Sequence, residues 1–113
     1  GLLATEGTLK TKVYDKIFNE KYKLFFPNDK LQKKSVNKAI QYVKMGNVKG
    51  AAKIIQPAIN YLIKNKCKKI ILGCTELPIA IFAFKSIKTV KSSKIFLDPN
   101  LILAYAAMKK YKN

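Results

Sequence analysis

Apolar residues in this chain fall alternately into short unbroken runs and into stripes spaced three and four apart. The first is the signature of buried strands and the second of amphipathic helices. Residues 2–4 read as the end of a strand, followed by a turn over Thr5-Glu-Gly-Thr8 and a helix over about 9–20. Residues 23–26 read as a short second strand, stopped by Pro27-Asn28. Asp29 then opens a helix carrying Val36, Ile40 and Val43 on one face and ending near Gly46. Asn47 is an N-cap for the next helix, where Val48, Ala51, Ala52, Ile55, Ala58, Ile59 and Leu62 keep helical spacing. Pro57 interrupts that stripe and should kink or restart it. Residues 69–72 predict a third strand, and a helix follows from about 77 to 84. Residues 85–93 read as a polar, mobile loop, and residues 94–97 as the fourth strand. Asp98-Pro99 is a helix start, with Asp as cap and Pro at the first helical position. Leu101, Ile102, Tyr105, Ala106 and Met108 make the last helix apolar.

Strands alternating with helices predict an α/β fold with a parallel four-stranded sheet flanked by helices. In such folds ligands gather beyond the carboxyl ends of the strands. Thr5–Thr8, Cys74–Glu76 and Asp98-Pro99 each follow a predicted strand, so all three segments are expected at that rim.

Composition narrows the class. The chain has 113 residues, 49% of them hydrophobic, enough for one modest domain. The best candidate for a membrane helix, residues 70–84, is broken by Gly73, Glu76 and Pro78, so no span is expected. The start has neither a basic n-region nor room for a signal peptide. It also lacks an initiator methionine, so a trimmed chain or a piece of a longer one is expected. Cys67 and Cys74 are seven residues apart. An extended segment at about 3.3 Å per residue holds them about 20 Å apart, beyond disulfide reach. With no histidine, a zinc site is not expected either. A reducing cytoplasm fits best.

The formal charge of +17 comes from 23 basic residues, and every one is lysine. Such a balance invites a nucleic-acid reading. Against it, the lysines are spread over most elements, no arginine offers bidentate contacts, and no nucleic-acid-binding motif appears. A basic nucleic-acid-binding domain is the weaker alternative.

The chemistry concentrates in Ile70-Ile-Leu-Gly-Cys74-Thr-Glu-Leu-Pro78. A thiol between a strand end and a helix N-terminus sits where backbone N–H groups favour negative charge. Cys74 is therefore a candidate acid/base, its bland alternative being a small core residue. Thr75 is read as a helix cap whose hydroxyl and N–H can also hold a carboxylate. Glu76 favours the first turn of the helix but opposes ionisation of its neighbour. Cys67 reads as filler before the strand.

The G-C-T-E-L-P wording resembles the second-cysteine motif of the aspartate/glutamate racemase family. Gly1-Leu-Leu-Ala-Thr-Glu-Gly-Thr8 with Tyr14, Val43-Lys-Met-Gly46 and Asp98-Pro99 are similar to that family in order and spacing. The resemblance covers the C-terminal half of a two-lobe fold, and Glu76, where glutamate racemases carry histidine, implies the aspartate branch. It implies a cofactor-independent, metal-free racemase in which two cysteines work on opposite faces of the α-carbon of a small acidic amino acid. Cys74 matches one of them. Thr75 and Glu76 match substrate-contacting positions, Lys44 a lysine that pairs with the distal carboxylate, and Thr5 and Thr8 the cleft lining. The other cysteine belongs to an asparagine-threonine motif with a nearby histidine, and this sequence has neither.

On this resemblance residues 1–98 form the C-terminal lobe, and residues 99–113 a final helix that packs on an N-terminal lobe. Its apolar face would be left exposed, or covered by that lobe or another copy of the chain. The chain alone is expected to be inactive. The alternative is a non-catalytic remnant or the interaction lobe of a split racemase.

Overall fold

A computed structural model describes residues 1–18, 21–87 and 93–111, with side chains at 84–87 and 93 left aside. Three parallel strands form the sheet: β1 (Leu2–Leu3), β2 (Ile70–Leu72) and β3 (Phe96–Leu97), with β2 in the centre. Leu2 pairs with Ile71 and Ile70 with Phe96. Side chains alternate across a strand, so β1 and β2 feed both faces. Leu3, Ile70 and Leu72 face the larger core, with Val36, Ile40, Ile55, Ile59, Leu62 and Leu77. Leu2, Ala4 and Ile71 face a smaller one, closed by Leu9, Tyr14, Phe18 and Leu97.

The expected strand over residues 23–26 does not form. Leu2 N–H donates to the Phe25 carbonyl at 3.0 Å, so the segment lies beside β1. In a parallel pair the next bond would come from the N–H two residues on, to the Leu2 carbonyl. That residue is Pro27, which has no N–H. One bond cannot propagate a ladder, and among the described residues the sheet has three strands instead of four.

Helices begin earlier and break more often than the apolar spacing implies. Thr5 caps α1 (Glu6–Thr11) by accepting from Thr8 N–H at 3.1 Å, so the expected turn is already the first helical turn. Lys12, at φ 55°, ends α1 before α2 (Val13–Phe18). Residues 19–20 of the expected helix lie outside the described residues. Asn28, one residue before the expected start, caps α3 (Asp29–Leu31) through Leu31 N–H at 2.9 Å. A π-helical segment (Gln32–Asn37) follows, then α4 (Lys38–Lys44), closed by Gly46 at φ 81°. Asn47 caps α5 (Val48–Ile54) as expected, and Pro57 falls at the start of α6 (Gln56–Lys64).

The break between α5 and α6 is built from both sides. Ala58 N–H donates to the Ser35 hydroxyl at 3.3 Å, and that hydroxyl donates to the Ile54 carbonyl at 2.5 Å. Ser35 thus stands inside the helical ladder, which explains a serine only 2% exposed in the core.

After β2, α7 runs Leu77–Ile87, so the expected loop begins as helix, and residues 88–92 lie outside the described residues. A 3-10 turn (Ser93–Ile95) takes the first part of the expected fourth strand. Asp98 then starts α8 (Pro99–Tyr111) by accepting from Asn100 N–H at 3.0 Å. No residue of α8 is buried; Leu103, Tyr105 and Tyr111 are 69%, 63% and 89% exposed. Among the described residues no helix is long and apolar enough to cross a membrane.

Candidate functional site

Two turns meet at the carboxyl edge of the sheet. Gly73 N–H donates to the Leu3 carbonyl at 2.7 Å, which carries the β1–β2 pairing one residue past β2 and draws the turns together. A side chain would not fit there. A Cβ on Gly73 would lie 2.9 Å from the Ala4 Cβ and 3.1 Å from the Leu3 carbonyl oxygen.

Thr5, Gly7, Thr8, Tyr14, Gly73 and Pro99 line an open cleft of about 780 Å³. Thr5 also lines a second cleft of about 350 Å³ with Glu6, Asn37, Ile40, Gln41 and Lys44. The Thr5 hydroxyl donates to that of Thr8 at 3.0 Å.

Cys74 follows Gly73 in a bend, half-buried against the larger core. Neither cleft has it in its lining among the described residues. Its sulfur is nevertheless not remote: it interacts with the backbone N–H groups of Leu77 and Glu76 and with the Glu76 carboxylate. Burial raises the Cys74 pKa above the ordinary thiol value. The two N–H groups work against that shift, and the Glu76 charge and hydrogen bond add to it. The helix N-terminus is therefore outweighed, and the resting thiol is protonated. The expectation that backbone N–H groups here favour negative charge holds for the direction of both their contributions, while burial and Glu76 outweigh them.

Thr75 does not cap α7. The Glu76 carbonyl accepts from Ile79 and Ala80 N–H at 3.1 and 3.3 Å, so Glu76 takes the capping place. The Thr75 hydroxyl instead donates to Glu76 Oε2 at 3.0 Å. Glu76 Oε1 lies 3.9 Å from Lys44 Nζ. For Glu76 burial would raise the pKa, but the Thr75 hydroxyl, its own N–H, Lys44 and the Cys74 thiol together lower it. Lys44 is thus brought to the site from α4, where a carboxylate of the chain itself stands beside its ammonium.

All six residues singled out in the sequence fall in one connected region: Thr8 to Thr5, Thr5 with Lys44 across the second cleft, and Lys44 through Glu76 to Thr75 and Cys74. Cys67 lies at the other end of β2 and is a free thiol, as Cys74 is. Among the described residues no three His, Cys, Asp or Glu side chains come together as a metal site.

Glu6, Gln32, Asn37 and Gln41 were not legible as site residues. On a lysine-rich helix, Gln and Asn look solvated. The available signal was phase: Gln32 stands four residues before Val36 and eight before Ile40, on the apolar stripe.

Comparison with known proteins agrees with the geometry. The chain is 37% identical over 82 residues to an uncharacterized protein in the pnlA 3'region of Pectobacterium carotovorum subsp. carotovorum. The match takes in 72% of this chain and 54% of that protein, so the chain spans about half the length of this curated relative. A family model described as Asp/Glu/Hydantoin racemase matches residues 1–107. With nearly the whole described length inside that match, and the motif cysteine at the carboxyl edge of a parallel sheet, the chain belongs to the Asp/Glu/Hydantoin racemase family.

Proposed function

We propose that this chain is the C-terminal lobe, and one half-site, of a cofactor-independent amino-acid racemase acting on aspartate or a close acidic relative. The reaction is proton abstraction α to a carboxylate, with return of a proton to the opposite face. Cys74 would serve one face: its Sγ takes the α-proton as thiolate or gives one as thiol. Thr75 and Glu76 would contact the α-substituents, Lys44 the distal carboxylate, and Thr5 and Thr8 the walls of the cleft. Lys44 would exchange its contact with Glu76 for the substrate carboxylate, a charge-assisted bond that neutral amino acids cannot offer. A cytoplasmic setting and an N-terminal lobe or second copy as partner belong to the same proposal.

One observation carries this reading: the cation of Lys44, the carboxylate of Glu76 and the Cys74 thiol form one contact chain beside clefts that share Thr5. A single base tends to return the proton where it came from, so racemisation needs an acid/base group on each face of the substrate. Cys67, beyond the opposite end of β2, cannot supply it.

The test is L-aspartate added to the 113-residue chain, with binding followed by amide shifts and racemisation by chiral chromatography. Saturable shifts around Thr5 and Lys44, weakened in Lys44→Ala, with negligible D-aspartate, are the expected result. Robust turnover that disappears in Cys74→Ala would overturn the half-site assignment, and absence of any binding would overturn the substrate.

A second reading is a non-catalytic remnant or interaction lobe, which rests on the missing asparagine-threonine motif and histidine. A non-catalytic lobe of this kind would bind no aspartate.

A further inference from the structure

Beneath the second cleft runs a side-chain relay that the racemase reading does not use. Gln32, 5% exposed, donates from Nε2 to the Ala4 carbonyl at 2.8 Å and to Asn37 Oδ1 at 2.9 Å. Asn37 Nδ2 in turn donates to Glu6 Oε1 at 3.1 Å. The relay therefore joins the residue that follows β1, the first turn of α1, and the π-helical segment.

The π-helix is what makes it possible. In an α-helix, residues five apart point about 140° away from each other, at about 100° per residue. The i→i+5 winding of a π-helix brings them to the same side. Gln32 and Asn37 are the first and last residues of that segment, and their amides meet. From Asn37 the chain returns to α-geometry, and Gln41 and Lys44 follow at i+4 and i+7, on one face. All three line the cleft with Thr5 and Glu6.

Gln32 is also a costly choice for mere filling. Its Oε1 is buried with no hydrogen-bond partner among the described residues. An apolar side chain of similar length would spare that oxygen but would leave the Ala4 carbonyl and Asn37 Oδ1 without this donor. The amide is thus held in place by the two bonds it donates.

We infer that Gln32 and Asn37 are positioning residues, which fix the Thr5–Thr8 turn relative to the helical face that carries Lys44. Neither touches the reacting atoms; each acts through Glu6 and Ala4 on the geometry of the cleft. The consequence for ligand rests on the reading of the cleft as an acidic amino-acid site, whereas the mechanical coupling does not.

Hydrogen exchange on the 113-residue chain tests it, read at Thr8 N–H, the donor to Thr5 Oγ1. Gln32→Met and Glu6→Ala should each speed exchange at Thr8 by about tenfold or more, with Ile71 in the central strand unchanged. Glu6→Gln, which keeps an acceptor for Asn37, should restore protection. L-aspartate affinity, measured on the same samples, should fall about fivefold or more in Gln32→Met. Thr8 exchange unaltered in both variants, or lost equally in Glu6→Gln and Glu6→Ala, overturns the relay. Wild-type chain that binds no aspartate overturns aspartate as the ligand of the cleft alone, and the exchange data still decide the relay. Should Gln32→Met fail to fold, Asn37→Asp, which keeps the acceptor for Gln32 and loses the donor to Glu6, replaces it with the same expectation at Thr8.

Discussion

Two turns leave the same edge of the sheet, and they are built on opposite principles. The turn after β1 satisfies itself: Thr5 caps α1, its hydroxyl meets Thr8, and Glu6 is tied to Asn37. The turn after β2 concentrates unlike demands. A thiol that burial holds protonated shares three residues with a carboxylate that its neighbours hold ionised. The first turn is closed by its own hydrogen bonds and the second holds a thiol against a carboxylate, and Gly73 is where they touch.

Substitution at that touching point should have the largest effect. Gly73→Val would drive side-chain atoms onto the Leu3 carbonyl and Ala4, contacts a Cβ alone already makes at 3.1 and 2.9 Å. Overpacking of this kind costs about 1–3 kcal/mol. Urea denaturation should show a loss in that range; wild-type stability would mean that the turns are free to move apart.

The contrast between the two threonines sharpens the comparison at a smaller scale. Thr5→Ala removes an N-cap and should cost about 1 kcal/mol. Thr75→Ala removes a hydroxyl from an exposed side chain that caps nothing and should stay within about 0.5 kcal/mol of wild type. Equal losses in thermal or urea unfolding would erase the distinction between a structural and a chemical turn.

The smallest change is electrostatic. In a Cys67→Ser background, alkylation of Cys74 by iodoacetamide follows the thiolate fraction. Because its pKa is raised, the reaction should be slower than that of a free thiol at pH 8 and should accelerate as pH rises past 9.0. Glu76→Gln removes a charge that disfavours the thiolate, so the pKa falls and the rate at pH 8 rises, by up to about tenfold for one pKa unit. Burial, the largest cause, remains in that variant. A rate insensitive to Glu76→Gln would show that desolvation alone governs the thiol.

The resting thiol is thus poised against ionisation. A ligand that draws Lys44 and Glu76 apart or shields Glu76 would change the balance on Cys74, since both groups belong to its contact chain. On the proposed racemase reading, the same three side chains would link recognition of a distal carboxylate to readiness of the thiol.

Much of this was written locally. The caps at Thr5, Asn47 and Asp98, the break at Pro57 and the thiol after an apolar strand each depend on a few consecutive residues, whose dihedral preferences and nearest hydrogen bonds decide the outcome. Even the missing strand had its cause in the sequence, since Pro27 lacks the donor that a second ladder bond requires. What only the tertiary structure decided is of another kind. The ionisation of Cys74 is a sum over burial and neighbours, and its sign follows from their relative size. The union of Glu6 with Asn37 and of Ala4 with Gln32 joins residues 31 and 28 apart and depends on a π-helical winding that no spacing rule announces. Short-range rules fix where a chain turns; long-range packing fixes which of its polar groups meet, and in what charge state.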